Sequence, residues 1–235
     1  TNITTGQYNT LIGGLAGDAL TDADKNVAIG AVALSTDTQG SKSTAVGYGA
    51  LSTQNFTSAT DSHNTAVGHA AGSVLTTGQF NTLIGSEAGD ALTSGGYHTA
   101  VGVRALSTED GHGNNTAVGY ETLRDLNAGA DGNNVAVGNI AGRSMTTGIE
   151  NTLIGSNAGD ALTDADLNVA LGYNALGAST QDSGNTAIGA RSLETLNYGS
   201  ASGSSRNTGV GYLAGGSIST GLRTICIGAL AGRSG

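Results

Sequence analysis

The feature that most constrains this chain is a five-residue motif: Asn, a β-branched residue, a small residue or Leu, an aliphatic residue and Gly. It recurs thirteen times in 235 residues. Its copies begin at Asn9, Asn26, Ser43, Asn64, Asn81, His98, Asn115, Asn134, Asn151, Asn168, Asn185, Asn207 and Thr224, spaced 17, 17, 21, 17, 17, 17, 19, 17, 17, 17, 22 and 17 residues apart. A fixed period of this size marks a solenoid, whose repeats bury apolar residues only by stacking on one another. Seventeen residues are too few for a helix pair and fit two short strands with two turns, each coil resting on the next at about 4.8 Å. The expected fold is all-β: a parallel β-solenoid of about thirteen coils, a single repeat segment over residues 1–235, making a rod of roughly 60 Å.

Counting from the first motif residue, each position has its own chemistry. Position 5 is always Gly: Gly13, Gly30, Gly47, Gly68, Gly85, Gly102, Gly119, Gly138, Gly155, Gly172, Gly189, Gly211 and Gly228. Such a column marks turns that need a positive φ, or backbone contacts too close for a Cβ. Positions 2 and 4 share one strand face and position 3 the other. All three are predominantly apolar or Thr, so the strand is expected to be buried on both faces. Position 8 is Ala in eleven copies, with Thr122 and Ser192 in the others, a second tightly packed column.

Position 9 runs Gly17, Leu34, Leu51, Gly72 and repeats that order, giving supercycles over 9–80, 81–150 and 151–223 and then a partial one. Where it is Gly, except at Gly232, an apolar residue stands three places later (Leu20, Leu75, Leu92, Met145, Leu162, Ile218). One core slot is thus filled from two backbone positions, as constant packing density requires. The long spacings all follow the third coil of four, so 52–63, 124–133 and 194–206 are insertions at one phase. They carry Phe56, Asn127 and Tyr198, candidate contacts for a receptor or glycan. Thr4-Thr5-Gly6 and Arg233-Ser234 match internal stretches, so the chain is expected to be a segment of a longer fibre.

Composition agrees. There is no Pro among 235 residues, as ladders that use every N–H require. Each coil offers few large apolar groups, so a lone roll is expected to be marginal and the outer strand face to meet neighbouring chains. Eighteen acidic against nine basic residues leave no basic footprint for nucleic acid. No apolar run approaches the ~20 residues of a membrane helix, so no membrane insertion is expected. One cysteine, Cys226, excludes a disulfide framework and reads as a buried thiol in the small position-3 column.

Asn26-Val27-Ala28-Ile29-Gly30, repeated as NTAVG, NTLIG and NTAIG, resembles the NSVAIG motif in the left-handed parallel β-roll heads of YadA-like trimeric autotransporter adhesins. It is also similar to repeats in bacteriophage tail fibres. The resemblance covers nearly the whole chain and implies a left-handed homotrimeric β-roll. It also implies an extracellular place, on a virion or bacterial surface, and attachment to a host. This coil is longer than in those heads, and the sequence has no coiled-coil stalk, membrane anchor or fibre chaperone domain, so adhesin and phage fibre both stay open.

Other chemistries are weighed against turns and surface. Asp22-Ala23-Asp24-Lys25-Asn26 and Asp164-Ala165-Asp166-Leu167-Asn168 alternate carboxylate and amide oxygens as calcium loops do. Their sixth residue is Val, however, and Asn26 and Asn168 belong to the turn column, so solvated acidic turns are expected, with calcium the alternative. His63 and His69 flank one motif, and His98 and His112 read as isolated surface residues. No nucleophile elbow or phosphate-loop Lys is present, so neither catalysis nor a cofactor is expected. A hexapeptide acyltransferase would need aliphatics where Asp18 and Asp24 stand. Position 2 is Thr in nine coils, as in ice-binding solenoids, but Val27, Val135, Val169 and Ile225 in that column suggest burial. A polysaccharide-degrading tailspike would need paired carboxylates and aromatics in one groove, which no insertion offers.

Overall fold

The computed structural model describes residues 2–199 and 204–232; part of the third insertion and the Arg233-Ser234 match lie outside them. The chain divides into two compact units, Thr1–Asn114 and Asn115–Gly235, with the boundary after the sixth coil. The first holds β1 (Thr10–Ile12), β2 (Val27–Ile29), β3 (Gly40–Ser41), β4 (Thr44–Val46), β5 (Thr60–Asp61), β6 (Thr65–Val67), β7 (Thr82–Ile84) and β8 (Thr99–Val101). The second holds β9 (Thr116–Val118), β10 (Val135–Val137), β11 (Thr152–Ile154), β12 (Val169–Leu171), β13 (Thr186–Ile188), β14 (Thr208–Val210) and β15 (Ile225–Ile227).

Each motif forms a three-residue strand at positions 2 to 4, and within each unit these strands pair in parallel, coil upon coil. The register joins like positions, Thr10 to Val27 and Ile12 to Ile29. It holds across the long coils too, with Thr44 opposite Thr65 and Thr186 opposite Thr208. An insertion therefore leaves the alternation of faces intact; a one-residue slip would invert it. A regular coil has one strand rather than the expected two. The exception is β3 with β5, a two-residue pairing beside the first insertion. The remaining circuit is turn, because four backbone positions per coil are left-handed: in the second coil Gly30 (φ 130), Val32 (φ 53), Leu34 (φ 50) and Lys42 (φ 64).

A left-handed Val or Leu costs on the order of 1 kcal/mol, and hydrogen bonds between coils offset it. Gly30 N–H donates to Ile12 C=O at 2.8 Å, Val32 N–H to Gly14 C=O at 2.9 Å and Leu34 N–H to Ala50 C=O at 3.0 Å. The ladder thus continues through the turns, and Pro would remove a donor almost anywhere. Position 5 needs Gly for both reasons expected of it. Gly13 has φ 131, and a Cβ there would lie 2.7 Å from the Gly30 carbonyl carbon.

The interior is built from positions 3, 8, 9 and 12. Ala28, Ala33, Leu34, Leu20 and Leu75 are all fully buried. The two-way core slot is present: a Cβ on Gly17 would meet Leu11 Cδ2 at 2.6 Å and Leu20 Cδ1 at 2.9 Å. Burial of both strand faces is corrected. Position 3 is buried at every coil from Ala28 to Ala187, whereas position 4 reaches 58 % exposure at Ile12 and 38 % at Ile84. A coil encloses one interior, strand alternation sends positions 2 and 4 away from it, and no second layer of either unit covers them.

Candidate functional site

Three sets of residues could carry recognition or chemistry: the motif polar column with the acidic turns, the insertions, and the outward strand face.

The motif asparagines, expected at turns, are buried inside the coil from Asn26 to Asn207, with Asn9 half-buried. Asn26 N–H donates to Asn9 Oδ1 at 2.9 Å, and Asn26 Nδ2 to Gly40 C=O at 2.8 Å. Asn81 repeats both bonds, to Asn64 Oδ1 at 2.9 Å and Gly95 C=O at 3.0 Å. Each side-chain amide therefore accepts the first motif N–H of the next coil, as Asn26 Oδ1 does from Ser43, and donates to the closing turn of its own coil, so the column is structural. His98 occupies this column at 1 % exposure. The expectation of a surface histidine is corrected there: its ring takes the place of an Asn amide, and Nε2 pairs with His112 C=O. His63 and His69 are exposed, as expected.

The carboxylates of the calcium candidates each have hydrogen-bond partners of their own. Asp22 Oδ1 accepts the Thr4 and Thr5 hydroxyls, each at 2.7 Å, and these bonds hold its carboxyl below the usual range. Asp24 Oδ1 accepts Gln7 N–H at 2.7 Å, and Asp166 Oδ1 accepts Ile149 N–H at 2.8 Å. Asp164 accepts the Thr163 hydroxyl at 3.0 Å. Asp164 Oδ2 also accepts Gln181 Nε2 at 3.4 Å, so each of these carboxylates joins its coil to a neighbouring one through its own partners.

The insertions are anchored from within. Asp37 is fully buried and accepts Gly40 N–H at 2.9 Å, Phe56 N–H at 3.0 Å and Gln54 Nε2 at 2.6 Å. In the second unit, buried Asp182 accepts the Ser179 hydroxyl at 3.0 Å and Tyr198 N–H at 3.0 Å. A buried carboxylate of one coil thus holds the insertion of the next. Phe56, expected to be exposed for stacking, is only 6 % exposed; its N–H faces Asp37 and its ring lines the Gly40 turn. Asn127 and Tyr198 do face solvent. Sequence reasoning missed Asp37, Glu109 and Ser179, although each puts a polar residue at position 12 of a second coil, where Gly coils place Leu, Met or Ile.

Each unit also carries an outward strand face of positions 2 and 4. Beside it, His63, Phe80 and Tyr97 stack with centroids 5.3 and 5.1 Å apart and planes within 12°. Tyr48 and His69 stack at 5.5 Å on its other margin. The ladders arise because like positions of adjacent coils are one strand spacing apart. In the second unit a cleft of about 620 Å³ is lined by Arg191, Glu194, Thr195, Tyr212 and Ser217, with Arg191 and Glu194 paired at 3.2 Å. Cys226 is buried at position 3, as expected.

No family model, curated protein or solved structure matches this chain. Among the described residues no helix is long and apolar enough to cross a membrane.

Proposed function

We propose that this chain is a structural shaft or head segment of a homotrimeric surface fibre that attaches to a host, as a bacteriophage tail fibre or a bacterial adhesin. It acts outside the cell, on a virion or bacterial surface, and carries no enzymatic activity. The observation that carries the reading is the outward strand face. In the first unit Ile12 and Ile84, and in the second Ile154, Leu171 and Ile188, are each at least 36 % exposed at position 4, apolar surface of the kind monomers keep small. Packing this face against two other copies would bury it, and the half-exposed Thr column beside it would tolerate that interface. The resemblance to trimeric β-roll heads supports the number three. The host receptor or glycan would meet the exposed Asn127 and Tyr198 of the insertions. Sedimentation velocity at micromolar concentration tests the assembly: three chains of 22.9 kDa moving together are expected, and a folded monomer would refute it.

A second reading, an ice-binding solenoid, gains from one observation. Of the nine Thr of position 2, Thr10 is exposed and the other eight stand half-exposed on the sheet face rather than buried. Thermal hysteresis in dilute solution would favour it over the fibre.

A further inference from the structure

We infer that Glu109, Asp110 and His112 form a binding site for a divalent transition metal of the zinc type, on the turn that closes the sixth coil. One ligand atom of each lies within 4.8 Å of the other two. Glu109 is fully buried. His112 Nδ1 is enclosed and makes no hydrogen bond, and it stands 3.6 Å from Glu109 Oε1. A charge-assisted hydrogen bond would close that gap to about 2.7–2.9 Å. Two ligands each about 2.0–2.2 Å from one tetrahedral zinc stand roughly 3.4 Å apart. The separation is that of two ligands sharing an ion.

The turn is already held in place. His112 N–H donates to Glu109 Oε1 at 3.2 Å. Asp110 C=O accepts Thr93 N–H at 2.6 Å and the Thr93 hydroxyl at 2.7 Å. Buried His98 fixes His112 C=O through its ring, which makes it a positioning residue for the ligand-bearing turn. The imidazole is 36 % exposed at its other edge and Asp110 faces solvent, so an ion can enter and keep a water in its fourth position. One nitrogen and two carboxylates suit zinc rather than calcium, which takes six to eight oxygens. The corresponding turns of the other supercycles, Asp37–Gly40 and Ser179–Asp182, contain no histidine, so the site belongs to the middle supercycle alone.

The test is calorimetric titration of the untagged full chain with zinc chloride after EDTA stripping. One zinc per chain is expected, with affinity reduced at least tenfold in His112→Gln and in Asp110→Asn and unchanged in His69→Gln. Melting in EDTA that matches the parent shows that each variant is folded. Cobalt loading of the parent chain gives a reading independent of any variant: a tetrahedral visible spectrum is expected. No saturable zinc binding, equal binding by folded His112→Gln, or an octahedral cobalt spectrum overturns the proposal.

Discussion

The two faces of a single strand differ more than any two coils do. In β7, Leu83 at position 3 is fully buried, while Ile84, the next residue, is 38 % exposed. Both columns are apolar at almost every coil, yet only the inner one is enclosed by its own chain. The inner face must match the coil residue by residue, so it follows the supercycle: Leu11, Leu83 and Leu153 open the three groups of four, each with Gly at position 9, and Ala or Gly fills the coils that follow. The outer face repeats Thr and aliphatic with little regard to supercycle, as suits a surface that meets something regular. Variation therefore marks intramolecular packing here, and monotony marks the unpaired side.

The largest effect is expected on the inner side of the turn. In Gly85→Val the residue would keep a φ of 137, and its Cβ would lie 2.6 Å from the Gly102 carbonyl carbon. With no flexible neighbour to yield, the variant should lose cooperative folding, seen as loss of the circular-dichroism melting transition. Leu83→Ala removes a fully buried side chain and should cost about 2–5 kcal/mol by denaturant unfolding. Of comparable origin and somewhat smaller is Asp37→Asn, which keeps the shape but turns an acceptor of three hydrogen bonds into a poorer partner, a loss of about 1.5–3 kcal/mol. Its outer counterpart, Asp22→Asn, should unfold in denaturant almost as the parent does, because its bonds to Thr4 and Thr5 are exposed. If the two aspartates behave alike, the inner-outer distinction fails.

The smallest expected effect concerns pH. Burial pushes the Asp90 carboxyl above its ordinary 3.8, and Glu87 adds to the rise; Oδ1 has no hydrogen-bond partner. A folded-state pKa raised above the unfolded one favours folding below the unfolded value, and that contribution is lost as pH rises through the folded one. Asp90→Asn should therefore melt slightly higher than the parent at neutral pH, by a degree or two, with the difference vanishing below about pH 3.8. Paired melts across pH check this.

The sequence made the coil length, the Gly column, the supercycle and the two-way core slot legible because each leaves a periodic trace. Burial of Leu20 and Leu34 in one slot follows from volume alone. What stayed hidden had no period of 17 or depended on which side of the strand is enclosed. Asp37 and Asp182 serve the same purpose from positions 12 and 15, so no single column exposes them. His98 and His112 lie fourteen residues apart, and only the circuit of the coil brings ring and carbonyl together. Exposure of Ile84 was illegible because an aliphatic column reads the same whether a core or another copy covers it.

Thiol accessibility on opposite faces of the sheet tests the central claim most directly. In a Cys226→Ala background, which places the common residue of that column, cysteine is introduced as Ala100→Cys on the inner face or Ile84→Cys on the outer. Ala100→Cys is expected to stay unreactive while the chain is folded. Ile84→Cys should be protected at micromolar concentration and become reactive, with the fold intact, when Val67→Asp breaks the assembly. Labelling of Ile84→Cys at the rate of a free thiol in the undiluted, folded parent would contradict the claim that other copies cover this face.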